Sequence, residues 1–412
     1  MSFANKIIIS IHRVVEPVKK LLQRSSGMSR EKVSASQALE WCQNFLSGAW
    51  TTITVEQMRM DRITGGLSNY LYCCSLPENV ETQNNEPRKV LLRIYGESHR
   101  QHRGTLLIDS VVCTLLSERK IGPRVHGIFP EGRLEEFVDA ESLLASELSD
   151  EPISRKLAGL LSEIHRLEMP LVKEPSWLYR TIERYLVDLP TNINRFEREQ
   201  DRAIFKEFQA VCNFKEEYDN MRSLLSTIDS PVCFSHNDFQ PGNILRLKSE
   251  PDNYTVIDFE YCSYNYRGFD IGNHFCEFMF DYKSATEWPF YKVDFTLYPN
   301  EIQQTNFISS YIDSLKTDSD RATLIRQVMK EANYYALASH FMWTLWAINM
   351  AVSTSIKFGY MEYARSRFTA YCVQRDMLAD AYNNNEGRMP PKFDEELLCS
   401  TKNPFYQTYS KN

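Results

Sequence analysis

The sequence predicts an α+β protein of two lobes: a small β-rich N-lobe, then a larger, mostly helical C-lobe. Three observations predict it. The 412-residue chain is long enough for two domains of roughly 100–200 residues each. Between Thr51 and Ile128, short apolar-alternating runs surround a single helical pattern. Beyond Asp139 helical spacing dominates, apart from short strands around Asn243 and Asp258. The divisions are an N-terminal extension over 1–33, an N-lobe over 34–138 and a C-lobe over 139–412.

In the extension, KIIISIHRVVEPVKKLLQR carries too short an apolar run, Ile7 to Ile11, for a signal peptide. Its cations Lys6, Arg13, Lys19, Lys20 and Arg24 would suit an anionic membrane surface or organelle import, but Pro17 interrupts any helix there. It reads as a poorly ordered or partner-packed segment. A helix begins near Ser34, a cap residue ahead of ASQALEWCQNFL. Ile53 to Arg62 alternates as a strand, TGGLSNYLYCC turns into a second, and Lys89 to Tyr95 makes a third, with Pro77 to Arg88 as an exposed hairpin loop. A helix over roughly Arg103 to Arg119 precedes strands Val125–Phe129 and Arg133–Val138. The longest apolar run, Phe341 to Val352, is shorter than a bilayer requires and reads as a buried helix, so no transmembrane span is expected.

Lys plus Arg number 47 against 54 Asp plus Glu, a net charge of −7, which argues against a general nucleic-acid binder. The ten Cys contain no CxxC pair, only Cys73 beside Cys74, so neither a disulfide scaffold nor a zinc site is indicated and a reducing cytosol is the expected compartment. The sequon Asn253-Tyr254-Thr255 falls in a predicted strand, where a glycan has no room.

Two segments carry chemistry: SHNDFQPGNIL, Ser235 to Leu245, and VIDFEY, Val256 to Tyr261. They set Asp238, Asn243 and Asp258 at the spacing by which protein-kinase-type phosphotransferases hold a nucleophile and magnesium. An Asp at 238 can accept a substrate hydroxyl's hydrogen bond and take its proton as the oxygen attacks the γ-phosphoryl group. Magnesium takes hard oxygen ligands, which the Asn243 amide and the Asp258 carboxylate supply. Pro241-Gly242 marks a turn bringing Asn243 back toward Asp238, and Tyr254 to Phe259 reads as a buried strand delivering Asp258 at its end.

Two N-lobe features suit a nucleotide. In Gly65-Gly66-Leu67-Ser68-Asn69 the paired glycines let backbone amides approach phosphate oxygens, although a plain hairpin turn would use the same residues. Arg93 in VLLRIYG stands where kinase-like folds place a phosphate-pairing Lys, with Asp109 the best helical acid to position it; a surface cation on an edge strand is the alternative.

The run DFEYCSYNYRGFDIGNHFCE, Asp258 to Glu277, taken with HNDFQPGNIL, resembles the choline/ethanolamine kinase family, related in fold to protein kinases and aminoglycoside phosphotransferases. The resemblance extends from about Ala35 to about Tyr371 and includes GGLSN, VLLRIYG, GPRVHGIFPEGRLEEFV, FISSYI and ASHFMWTLWAIN. It implies the two-lobed kinase-like fold, Asp238 as catalytic base, Asn243 and Asp258 as magnesium ligands, and Glu260 as a further acid at the metal-phosphate site. It also implies that Gly65 to Asn69 and Arg93 hold the ATP phosphates, that Leu134 to Val138 forms the hinge beside adenine with Glu136 near its edge, and that the protein is a homodimer.

Choline carries a fixed charge without an N–H donor, so its site needs aromatic faces and nearby carboxylates. Trp343 and Trp346 fall at i, i+3 on one helix face, Phe358 and Tyr363 follow on the next turns, and Tyr261, Glu277 and Tyr282 lie just past the metal motif. By resemblance these residues cage the trimethylammonium group. Ethanolamine would bind the same cage with weaker contact, so choline is expected first and ethanolamine second. Three alternatives fit less well, apart from a dedicated ethanolamine kinase. An aminoglycoside-type enzyme would not need the paired Trp; a protein kinase would need an APE-like segment where YNYRGFDIGNHF stands; a non-catalytic amine or nucleotide scaffold would be free to lose Asp238 or Asp258.

Overall fold

The computed structural model describes residues 33–63, 69–96, 103–315 and 320–383. They fall into two units: the described residues up to Glu141 together with Leu245–Glu260, and Ser142–Ile244 together with the described residues from Tyr261 onward.

In the first unit, α1 (Ala35–Phe45) begins at the expected cap, Ser34 Oγ accepting the Gln37 N–H at 3.2 Å. Its face of Ala38, Leu39, Trp41 and Cys42 is buried against a sheet. The strands are β1 (Arg59–Ile63), β2 (Asn69–Ser75), β3 (Lys89–Tyr95), β4 (Val125–Phe129) and β5 (Gly132–Glu136), in the antiparallel order β1-β2-β3-β5-β4. Trp41 stacks on Phe129 with centroids 4.4 Å apart. The strand expected from Ile53 starts only at Arg59, because Thr54 opens a turn first: its N–H goes to Gln57 Oε1 and its carbonyl accepts from Met58. The loop from Pro77 to Arg88 is largely exposed as expected, yet Glu86 is buried, accepting the N–H groups of Ala49, Gln83 and Asn84.

Strand periodicity sorts β3. Val90, Leu92 and Ile94 join the core with α1, whereas Arg93 points to the opposite face, directly across from Arg133 on β5. Two like charges opposed in register repel unless carboxylates intervene. Glu135, two residues on from Arg133, and Asp109 on α2 (Arg103–Glu118) supply them.

After β6 (Ala140–Ser142) come α3 (Glu151–His165), capped by Asp150, then α4 (Trp177–Asp188), α5 (Glu199–Val211), α6 (Phe214–Leu225) and β7 (Val232–Ser235). β8 (Ile244–Leu247) and β9 (Tyr254–Val256) follow, in a three-stranded sheet ordered β6-β8-β9. β10 (Ser263–Tyr266) then pairs with β7 and leads into α7 (Arg267–Cys276), every residue of which is buried. A short pair, β11 (Phe280–Asp281) and β12 (Lys292–Val293), precedes α8 (Glu301–Leu315), α9 (Arg321–Met350) and α10 (Tyr360–Asn383). The α7 and α9 backbones touch at Gly272, where a Cβ would lie 2.4 Å from the Ala332 carbonyl oxygen. The apolar run from Phe341 does lie in a buried helix, and no helix among the described residues is long and apolar enough to cross a membrane.

Candidate active site

The first unit builds a cluster of charge around Arg93. The strand expected to reach Phe259 stops at Val256, because Asp258 takes a left-handed conformation (φ +67°) that breaks the ladder and is followed by a single 3-10 turn, Phe259–Tyr261. Asp tolerates that region better than most side chains. The Asp258 carboxylate accepts from Arg93 Nη1 at 3.1 Å through Oδ1, and its side chain remains 24% exposed. Arg93 Nε reaches Glu135 at 3.4 Å. Arg93 is therefore a buried cation on a central strand, not a surface cation on an edge. The expected pairing with Asp109 is also corrected: Asp109 bonds Arg133, which in turn holds Glu135. Arg133 faces the helix from β5, and Arg93 is left to the carboxylates nearer its own end.

Glu260 accepts the Asn69 side-chain N–H at 3.0 Å. Burial pushes the Asp258 carboxyl up to about 6, Arg93 pulling it down and Glu260 pushing it further up. Among the described residues two guanidiniums, Arg93 and Arg133, face four carboxylates here, so carboxylates outnumber guanidiniums in the cluster. A hard divalent cation is what such a surplus fits, with water and phosphate completing its shell. Among the described residues no three His, Cys, Asp or Glu side chains gather as a ready-made protein cage for a metal. Asn69 also accepts the Gly96 N–H, while Gly65, Gly66, Leu67 and Ser68 lie outside the described residues. In the expected hinge, Glu136 is exposed and clasps Arg124, accepting its N–H at 3.0 Å.

The second unit holds the loop His236–Asn243. Asn243 Nδ2 donates to Asp238 Oδ2 at 2.8 Å and to the Asp238 carbonyl at 3.0 Å, the return that the Pro241-Gly242 turn predicts. With its nitrogen on Asp238, the amide presents its oxygen to any cation. The loop hangs from Asp270, which accepts the His236 N–H at 2.7 Å and the Asn237 N–H at 2.8 Å. Asn237 sits at φ +66°, its side chain bonded to the Tyr261 carbonyl and to Asn265. His165 Nε2 bonds Asp270 at 3.0 Å, and Tyr311 bonds the other ring nitrogen at 2.7 Å. Burial opposes the charge on His165, yet Cys233, Tyr311 and Asp270 hold its pKa well above the usual range. Burial likewise opposes the Asp270 charge, but the bond and charge of His165 together with His236 outweigh it, so that carboxyl stays low.

Beyond this loop the rings gather. Tyr261 meets Trp343 edge-on at 5.5 Å, Trp343 meets Trp346 at 5.2 Å, and Trp346 meets Tyr363 at 6.4 Å. Phe358 and Tyr282 complete the set, lying 5.7 and 6.1 Å from Tyr363. Asn273 Oδ1 accepts the Trp343 indole N–H at 2.8 Å and the Ser339 hydroxyl at 2.7 Å, which fixes that ring. Phe358 and Tyr363 are not on the next turns of the tryptophan helix, since α9 ends at Met350; Phe358 lies in the connection and Tyr363 on α10. Glu277 is buried and bonds Arg367.

A family profile described as choline/ethanolamine kinase matches residues 60–372. The chain belongs to the choline/ethanolamine kinase family. A human protein named choline/ethanolamine kinase is 41% identical over 375 residues, 88% of this chain and 91% of that one. Mouse choline kinase alpha is 42% identical over 371 residues, 83% of this chain and 81% of the mouse protein. The structure is similar to a choline kinase from Cryptosporidium parvum, with a TM-score of 0.69, 26% identity, and coverage of 86% of this chain and 99% of that one. The resemblance read from HNDFQPGNIL and DFEYCSYNYRGFDIGNHFCE is therefore borne out, as is the fold class of a small sheet-based unit with a larger helical one.

Sequence reasoning missed Glu135, His165, Asp270 and Arg367. Asp270 was detectable as an acid inside the otherwise apolar pattern GFDIGNHF; Arg367 was detectable only as Tyr363 plus four on a helix. His165 gives no local sign, because its partner is a hundred residues away.

Proposed function

We propose that the chain phosphorylates choline to phosphocholine with ATP, for phosphatidylcholine synthesis, and accepts ethanolamine second. The Asp238–Asn243 bond carries the reading, since it aims a part-exposed carboxylate beside an amide oxygen. Asp238 accepts the choline hydroxyl's hydrogen bond, orients the oxygen in line with the γ-phosphorus and receives the proton as the new P–O bond forms and the bond to the ADP oxygen breaks. Asn243, Asp258 and Glu260 are assigned to magnesium, which when bound neutralises charge on the β- and γ-phosphates. Arg93 has N–H groups left beyond those on Glu135 and Asp258, and with Gly65–Asn69 it is assigned to phosphate oxygens.

We assign nucleotide binding to residues 34–138 and catalysis with acceptor binding to residues 139–412, with Tyr261, Glu277, Tyr282, Trp343, Trp346, Phe358 and Tyr363 around the trimethylammonium group. The nine described cysteines are free thiols, which agrees with a place in the cytosol; a homodimer is the assembly we expect. The test is a panel of choline, ethanolamine and an aminoglycoside with Mg-ATP, read as kcat/KM. Choline should lead. Equal or higher efficiency with ethanolamine reverses the substrate order, and turnover of the aminoglycoside alone removes the reading.

A further inference from the structure

Glu277 is held in a closed ring of hydrogen bonds. Arg367 Nη2 donates to Glu277 Oε1, and Arg367 Nε donates to the Tyr363 hydroxyl at 2.8 Å. The Tyr363 and Tyr282 hydroxyls are 3.1 Å apart, and the Tyr282 hydroxyl donates a hydrogen bond to Glu277 Oε2 at 3.0 Å. One polarity satisfies every member: arginine to Tyr363, Tyr363 to Tyr282, Tyr282 to Glu277. The arm from Arg367 through the two hydroxyls to Glu277 runs in one direction, so each of its bonds reinforces the next. Arg367 is fully buried over the Phe280 ring, its Cζ 4.3 Å from the ring centroid, and its remaining Nη1 lies 3.4 Å from His340 Nδ1.

The carboxylate among the aromatic rings is therefore neutralised, with a donor on each oxygen. A quaternary ammonium loses little by this, because it asks only for ring faces and a diffuse field. A primary ammonium loses more: its three N–H donors need acceptors to replace the water they leave.

We propose that Arg367 is a positioning residue that acts through Glu277 to set the preference of this site for a quaternary over a primary ammonium. The inference rests on the amino-alcohol kinase reading above. Uncovering Glu277 strengthens its field for both cations, and only ethanolamine also gains hydrogen bonds, so the ratio of the two efficiencies is the sensitive quantity.

The test compares kcat/KM for choline and ethanolamine in wild-type protein, Arg367→Met, Tyr282→Phe and the double variant Glu277→Gln/Arg367→Met, with thermal unfolding of each. Arg367→Met should lower the choline-to-ethanolamine ratio about tenfold, chiefly through KM for ethanolamine. Tyr282→Phe frees one oxygen while keeping the charge pair, and should shift the ratio the same way by a smaller factor. It carries the test if Arg367→Met does not fold. The double variant, neutral like the native pair, should return the ratio toward wild type, which mere loosening of the pocket would not do. Choline turnover with an unchanged ratio in Arg367→Met and Tyr282→Phe overturns this inference alone, whereas wild-type protein inert toward both alcohols overturns the kinase reading with it.

Discussion

The two units handle buried charge in opposite ways. Around Arg93 and Arg133 the first unit places Asp109, Glu135, Asp258 and Glu260, so that among the described residues carboxylates are in surplus; burial, and then Glu260, raise the Asp258 pKa. The second unit matches its charges: Asp270 with His165 and Glu277 with Arg367. Surplus charge is a standing demand for a cation. Matched charge is a fixture of the fold, and breaking one side of it strands the other in a dry interior. Asp258→Ala in the first cluster should therefore affect function, and Asp270→Ala in the second should affect folding.

The largest effect belongs to Asp238→Ala, for which kcat should fall about a thousandfold with the circular dichroism spectrum and melting temperature unchanged. Asp258→Ala should fall as far in kcat, yet its stability should stay within about 1 kcal/mol of wild type in urea unfolding, because repulsion with Glu260 is relieved as the Arg93 bond is lost. A large stability loss there would erase the contrast between the units. Asp270→Ala should cost about 3 kcal/mol in the same measurement, since His165 and two backbone N–H groups lose their acceptor, and turnover should fall with it.

A smaller effect tests the second unit's interior by pH. Burial pulls His274 down to about 4, although its bond to the Phe239 carbonyl works the other way. Below its unfolded pKa near 6.5 the unfolded chain takes a proton that the fold refuses, so this group makes the protein less stable as pH falls from about 6.5 to about 4, and adds no further loss below that. Between pH 7 and pH 5 that is about 2 kcal/mol, and His274→Asn, which keeps a donor for Phe239, should flatten that limb of the stability curve. Smallest is Trp343→Ala, which should raise KM for choline about tenfold and leave KM for ATP near wild type. An equal rise in both would separate the ring set from the acceptor.

What the sequence made legible was what local pattern encodes. Ser34 as a cap, β3 and β4 with their stated limits, and the turn from Pro241 to Asn243 are all short-range statements. So is the motif pair that revealed the family. The misreadings came where long-range geometry decides. Arg93 and Asp109 look like partners until the register of β3 against β5 puts Arg133 opposite Arg93, and α2 then meets Arg133 instead. Asp258 breaks its strand because a left-handed residue is compatible with Asp, and composition alone does not foretell it. Arg367 showed only as Tyr363 plus four on a helix, because its meaning lies in hydrogen bonds to side chains of Glu277 and Tyr282, far away in sequence.

The edge-on contact of Trp343 and Trp346 at 84° gives the protein an optical signature. Two indoles held rigidly in an asymmetric setting produce near-ultraviolet circular dichroism that vanishes when fixed packing is lost. An amine docking on these rings would thus be seen directly, without label or coupled assay, by titration of nucleotide-free protein.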